Sequence, residues 1–88
     1  MHHKWDMVYI DGNHEYEVAK SDFSECCKIL SPRGIIVLDD SGLFTQYQAP
    51  LFSTRGHVGP SKLAQEISSL GFHEVLQVGH NRVFQKNL

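Results

Sequence analysis

The sequence predicts an α/β domain with parallel strands at its centre, and three observations predict it. Two short apolar runs, Met7–Ile10 and Ile35–Leu38, have the length and apolar character of buried strands. Between them lies a segment of helical period, making strand, helix, strand within about 35 residues, the size of a parallel crossover unit. Both runs end in carboxylates, Asp11 after the first and Asp39 with Asp40 after the second. Ligands of open α/β sheets bind just past the carboxyl ends of the parallel strands. The pattern therefore delivers three aspartates and His14 to the edge where such folds do chemistry.

The elements follow in order. Residues 6–10 read as a buried strand, broken by the turn signal Gly12-Asn13. Ala19, Phe23, Cys26, Cys27 and Leu30 fall at helical spacing, which predicts a helix over 15–30. Ser31-Pro32-Arg33-Gly34 stops it, because proline cannot continue a helix and glycine permits a reversal. Residues 35–39 are continuous and rich in β-branched side chains, the mark of a central strand covered on both faces. Residues 41–59 have no period and form a long loop carrying Phe44, Tyr47 and Phe52. Loops of this length are commonly lids, binding loops or disordered segments. Pro60 suits a helix start, Leu63, Ala64, Ile67 and Leu70 make one stripe, and Gly71 closes a helix over 60–70. Residues 72–78 and 82–86 read as strands joined by the tight Gly79-His80-Asn81 turn, hence an antiparallel hairpin.

Eighty-eight residues make one small domain, which buries only about 60–65% of its unfolded surface. The 41% hydrophobic and 20% charged composition is that of a globular protein and argues against disorder or coiled coil. A net charge of −2 without a basic block argues against nucleic-acid binding. The longest apolar run is far too short to cross a bilayer, and no signal segment opens the chain. Cys26 and Cys27 are adjacent, so bridging them would strain the backbone; they read as packed, reduced thiols of a cytoplasmic protein.

Residues 6–40 carry a specific resemblance. Asp6-Met7-Val8-Tyr9-Ile10-Asp11-Gly12-Asn13-His14-Glu15-Tyr16-Glu17, followed by Leu30-Ser31-Pro32-Arg33-Gly34-Ile35-Ile36-Val37-Leu38-Asp39-Asp40, resembles the C-terminal half of a class I S-adenosylmethionine-dependent methyltransferase. The nearest subset is the metal-dependent small-molecule O-methyltransferases. The resemblance implies a partial Rossmann-like sheet with strands in the order 4-5-7-6, the last strand antiparallel, and two main helices. Strands 1 to 3, with the glycine-rich loop that holds most of the cofactor in relatives, have no counterpart, and no G-x-G occurs in the chain. Arg33 stands where the family has the first of two glycines; arginine fits there if the backbone does not need a positive φ.

The resemblance further implies roles. Asp11, Asp39 and Asp40 match the residues that hold Mg²⁺ or a similar divalent cation, Asp11 and Gly12 lie beside S-adenosylmethionine, and His14 is the general base. Hard cations prefer oxygen ligands, and histidine titrates near neutrality, so the residue types suit these tasks. The plainer reading makes the aspartates strand-end turn residues, with Asp11 capping the helix and His14 in solvent. That reading is weaker for Asp39-Asp40, since adjacent carboxylates repel unless a cation or donors compensate. His57, His73 and His80 have no partner at metal spacing in the sequence and read as surface or loop residues.

Two functions follow. One is a methyltransferase fragment, O-methylating a small-molecule hydroxyl in the full-length relative and inactive alone for want of the cofactor half. The other is a non-catalytic α/β self-association module with an unused acidic site. A receiver-like phosphate-handling domain would want a lysine after a later strand, and Lys62 is poorly placed for it. Either main reading leaves strand 6–10 without its inner neighbour, so the expected partner is a second copy pairing through that strand, or a separate cofactor-binding half.

Overall fold

The computed structural model describes residues 5–10, 15–51 and 53–87, and its first strand, β1, is Trp5–Ile10. Alternation sorts this strand: Ile10 is buried and Val8 packs on the core, while Met7 and Tyr9 project from the other face. Helix α1 (Tyr16–Ile29) buries Ala19 and Phe23, with Cys26 and Cys27 packed against the same core. It ends where Leu30 turns extended, ahead of a proline that could not continue the helix.

Strand β2 (Leu30–Leu38) runs parallel to β1, pairing Met7 with Ile35 through to Ile10 with Leu38. Leu30 already pairs with Trp5, so the strand begins five residues before Ile35, and the register then shifts across the intervening Ser31-Pro32-Arg33-Gly34. Within that stretch Arg33 has φ 62°, the left-handed region that costs a side-chain-bearing residue energy. The condition under which arginine fits here without strain, a backbone with no need of positive φ, is therefore not met. Gly34 is needed for a different reason: a Cβ there would sit 2.5 Å from Leu30 Cγ.

Strand β3 (Phe72–Val78) and strand β4 (Asn81–Lys86) form the hairpin. β4 inserts between β2 and β3, antiparallel to both, so the sheet order is β1-β2-β4-β3. This is the 4-5-7-6 order with an antiparallel last strand, and the chain is a partial Rossmann-like α/β fold. Helix α2 (Val58–Ile67), continued by a 3₁₀ turn over Ser68–Leu70, packs against α1. It starts two residues before Pro60, which therefore occupies the first turn, where no amide hydrogen is needed. Gly71, at φ 93°, ends the 3₁₀ turn.

Both helices cover one face of the sheet. Leu63, Ala64 and Ile67 of α2 meet Ile36, Leu38 and Phe84, and the Phe23 and Phe72 rings pack edge to face at 5.3 Å. Tyr16 on α1 donates to Glu66 Oε1 on α2. Strand register places Met7 and Tyr9, Ile35 and Val37, Val83, and Leu76 and Val78 on the opposite face. No helix among the described residues is long and apolar enough to cross a membrane.

Candidate functional site

The site forms where β2 ends. The Asp39 N–H donates to Ile10 O at 3.1 Å, carrying the parallel ladder one residue beyond Leu38. Asp40 then turns the chain with φ 53°, a conformation aspartate tolerates better than most residues. Ser41 is fully buried and locks the turn. Its Oγ donates to Leu38 O at 2.6 Å and accepts the Arg82 N–H at 3.2 Å, and its own N–H donates to His80 O at 2.7 Å. Those bonds join the end of β2 to the start of β4.

The consequence is a third member of the site. His80 Nε2 lies 3.3 Å from Asp39 Oδ1 and 3.6 Å from Asp40 Oδ1. One donor atom from each of the three residues falls within 4.8 Å of the others. The side chains are 16%, 17% and 32% exposed for Asp39, Asp40 and His80, so the cluster is shielded yet reachable. His80, expected as a surface or loop residue, is therefore part of the acidic edge. The reason is topological: β4 is antiparallel to β2, so the turn before β4 lies beside the carboxyl end of β2. Adjacent carboxylates repel, and the imidazole nitrogen lies within 3.6 Å of a carboxylate oxygen of each. Two carboxylate oxygens and one imidazole nitrogen also form a donor set that fits a divalent cation.

Asp11, Gly12 and His14 lie outside the described residues. Ile10, which precedes Asp11 in sequence, pairs with Leu38 beside Asp39. Of the other histidines, His57 precedes α2, and its N–H donates to Asp40 O at 2.9 Å. His73 Nδ1 lies 2.5 Å from Asn87 Oδ1, on β3 and away from the cluster.

The connection from Ser41 to His57 is tied down at this edge. Ser41 and Gly56 form an isolated antiparallel bridge, and buried Ser61 holds the Leu43 N–H at 3.2 Å. Gln77 of β3 donates to Thr45 Oγ1 at 2.9 Å, and Arg55 donates to Thr45 O. Gly42 passes so close to the β3–β4 turn that a Cβ would sit 3.1 Å from His80 Cα. Phe52 is outside the described residues, while Phe44 is exposed on the loop.

Arg82 supports the edge from within the sheet. It is nine-tenths buried, its Nε and Nη2 grip the Glu74 carboxylate at 2.8 and 2.9 Å, and its buried Nη1 has no hydrogen-bond partner among the described residues. Nothing in the local sequence pattern marks this pair, since Glu74 and Arg82 lie on different strands. A cavity of about 220 Å³ opens between β1 and α1, lined by Tyr9, Ile10, Asp22, Glu25 and Cys26. It contains none of the three clustered residues. Cys26 and Cys27 are free thiols, and burial raises the pKa of both.

Residues 2–41 match the family model described as a methyltransferase domain. No curated protein matches the chain.

Proposed function

We propose that this chain, whose residues 2–41 match the methyltransferase-domain family model, supplies the acceptor-side edge of an S-adenosylmethionine-dependent O-methyltransferase acting on a small-molecule hydroxyl. One observation supports this most: Asp39, Asp40 and His80 converge past the carboxyl end of β2, where open α/β sheets bind ligands. With S-adenosylmethionine bound, the acceptor oxygen would take the methyl carbon as the carbon–sulfur bond broke, the sulfur keeping the electron pair and the hydroxyl proton passing to a base.

The chain's own residues would divide this work. Asp39, Asp40 and His80, with Asp11 by resemblance, would hold a divalent cation such as Mg²⁺. Such a cation lowers the pKa of a hydroxyl bound to it. His14, by the same resemblance, would take the proton. The tethered 41–57 loop borders the site and is suited to orient a small acceptor. Asp11 and Gly12 would lie beside the cofactor. The 88 residues contain no G-x-G phosphate-side motif, so activity is expected only with a glycine-rich segment supplied by other polypeptide. Free, half-buried Cys26 and Cys27 suit a reducing, cytoplasmic setting.

Calorimetric titration tests the reading. S-adenosylmethionine is added to the chain with and without Mg²⁺ or Mn²⁺, then to an Asp39→Asn/Asp40→Asn variant. Metal binding that the variant loses, and cofactor binding that metal tightens, would support it. Isotherms flat for metal and cofactor alike would remove the catalytic reading of this edge.

A further inference from the structure

The turn that carries His80 has two residues, Gly79 and His80, between the cross-strand partners Val78 and Asn81. Of the two, only Gly79 has a positive φ, at 62°. That is the pattern of a type II′ turn, whose first central position suits glycine. Flipping the peptide between the two residues would convert it to a type I′ turn, in which the second residue takes a positive φ as well. The orientation of that one peptide therefore sets the backbone at His80, and with it the direction of the imidazole.

Gly79 O belongs to that peptide, and Gln77 Nε2 donates to it at 2.8 Å. The same nitrogen donates to Thr45 Oγ1 at 2.9 Å. A side-chain amide nitrogen has two hydrogens, so one is spent on the turn and the other on the 41–57 loop. Gly79 O can only accept, which fixes the amide with its nitrogen towards the turn. Thr45 Oγ1 in turn donates to Gly42 O at 2.7 Å. A Cβ on Gly42 would sit 3.1 Å from both Gln77 Nε2 and His80 Cα, so loop and turn are in close contact. On the other side of His80, the Ser41 N–H holds His80 O at 2.7 Å. The peptides before and after the histidine are thus both held.

We propose that Gln77 is a positioning residue of the metal site, its amide holding the Gly79–His80 peptide in the orientation that turns the imidazole towards Asp39 and Asp40. This role rests on Asp39, Asp40 and His80 being cation ligands, as already proposed. His80 Nε2 lies 3.3 Å from Asp39 Oδ1 and 3.6 Å from Asp40 Oδ1 with the peptide so held. A ligand kept in place loses little further freedom when a cation binds, so the restraint raises affinity. Through Thr45 the loop that follows Asp39 and Asp40 is fastened to the same amide. Ligands from the end of β2 and from the β3–β4 turn therefore share one support. An amide that only tightened the hairpin would stabilise the fold and leave metal affinity to the ligands themselves.

A double-mutant cycle on Mn²⁺ affinity, read by calorimetry on the whole chain, separates the two roles. Gln77→Met keeps the length of the side chain and removes both donors. In the parent background it should weaken Mn²⁺ binding several-fold, by no more than the roughly tenfold loss expected of His80→Ala. With His80→Ala already present it should change Mn²⁺ affinity by less than about twofold, because no imidazole remains to be held. Circular dichroism checks that each variant is folded; if Gln77→Met is not, Gln77→Val, which suits a strand, takes its place. A folded Gln77 variant with parent affinity overturns the proposal, and so does an equal loss in both backgrounds; in either case the metal reading stands. A parent chain that binds no Mn²⁺ removes that reading and the proposal with it.

Discussion

Asp39 Oδ1 and His80 Nε2 lie 3.3 Å apart across the seam between β2 and β4. The contact exists because Ser41 fastens that seam on both sides, through Leu38 O and the Arg82 N–H. Imidazole is a borderline ligand and carboxylate a hard one, so the trio should favour Mn²⁺ or Zn²⁺ over Mg²⁺ more than carboxylates alone would. His80→Ala is expected to weaken Mn²⁺ binding roughly tenfold and Mg²⁺ binding less, the order of effect seen when a site loses one supporting group. Calorimetry with each ion reads the difference, and superimposable isotherms for parent and variant would remove His80 from the site.

His80 also shows where sequence reasoning stops. Ile35–Leu38 announces a central strand, and Ala19, Phe23, Cys26 and Cys27 announce the helix before it, because local periodicity records which face is buried. The carboxylates after β2 are legible for the same reason. The partnership of His80 with them depends on β4 inserting between β2 and β3, a long-range pairing that no local period encodes. The 4-5-7-6 order implied by the resemblance does contain that information, since an antiparallel strand beside β2 must begin near its carboxyl end. The anchoring of the 41–57 loop was illegible because Thr45, Arg55 and Gln77 meet through specific hydrogen bonds rather than apolar pattern.

Arg33, at φ 62°, stores strain that a glycine would release. A non-glycine residue in this region costs about 1–2 kcal/mol, while glycine's greater freedom in the unfolded chain returns about 0.5–1. Arg33→Gly is expected to stabilise the fold by about 0.5–1 kcal/mol, visible as a melting temperature a few degrees higher. The bond from Gln85 Nε2 to Arg33 O uses only backbone at this position and should survive. An unchanged or lower melting temperature would show that the arginine side chain makes compensating contacts.

Gly56 is the hinge between the loop and the acidic edge. It has φ 132°, and a Cβ there would lie 2.4 Å from Asp40 O, a backbone atom that cannot swing aside. Gly56→Ala should therefore cost about 2 kcal/mol or more, from backbone strain and overpacking together. Because Asp40 O also accepts the His57 N–H, relief of the clash should displace Asp40 and weaken metal binding beyond the stability loss. Chemical denaturation and calorimetry on the same preparation check both effects. A variant with parent-like midpoint and affinity would mean the loop repositions freely.

Cys26 and Cys27 give the fold an alkaline limit. Burial raises both thiols above the ordinary value of 9.0; Asp22 adds to the rise at Cys26, while Lys86 partly opposes it at Cys27. A folded pKa above the unfolded one means that folding favours the protonated thiol. That contribution is complete below the unfolded value and is lost as pH rises through the folded values. Tyr16, raised chiefly by its hydrogen bond to Glu66, acts in the same direction. The urea midpoint should therefore fall between pH 8 and pH 10, and Cys26→Ala/Cys27→Ala should show a smaller fall. Alkylation by iodoacetamide at pH 8 offers an independent reading, since the thiolate is the reactive form. The folded chain should react several-fold more slowly than the urea-unfolded chain, and equal rates would show that neither thiol is held in its neutral state.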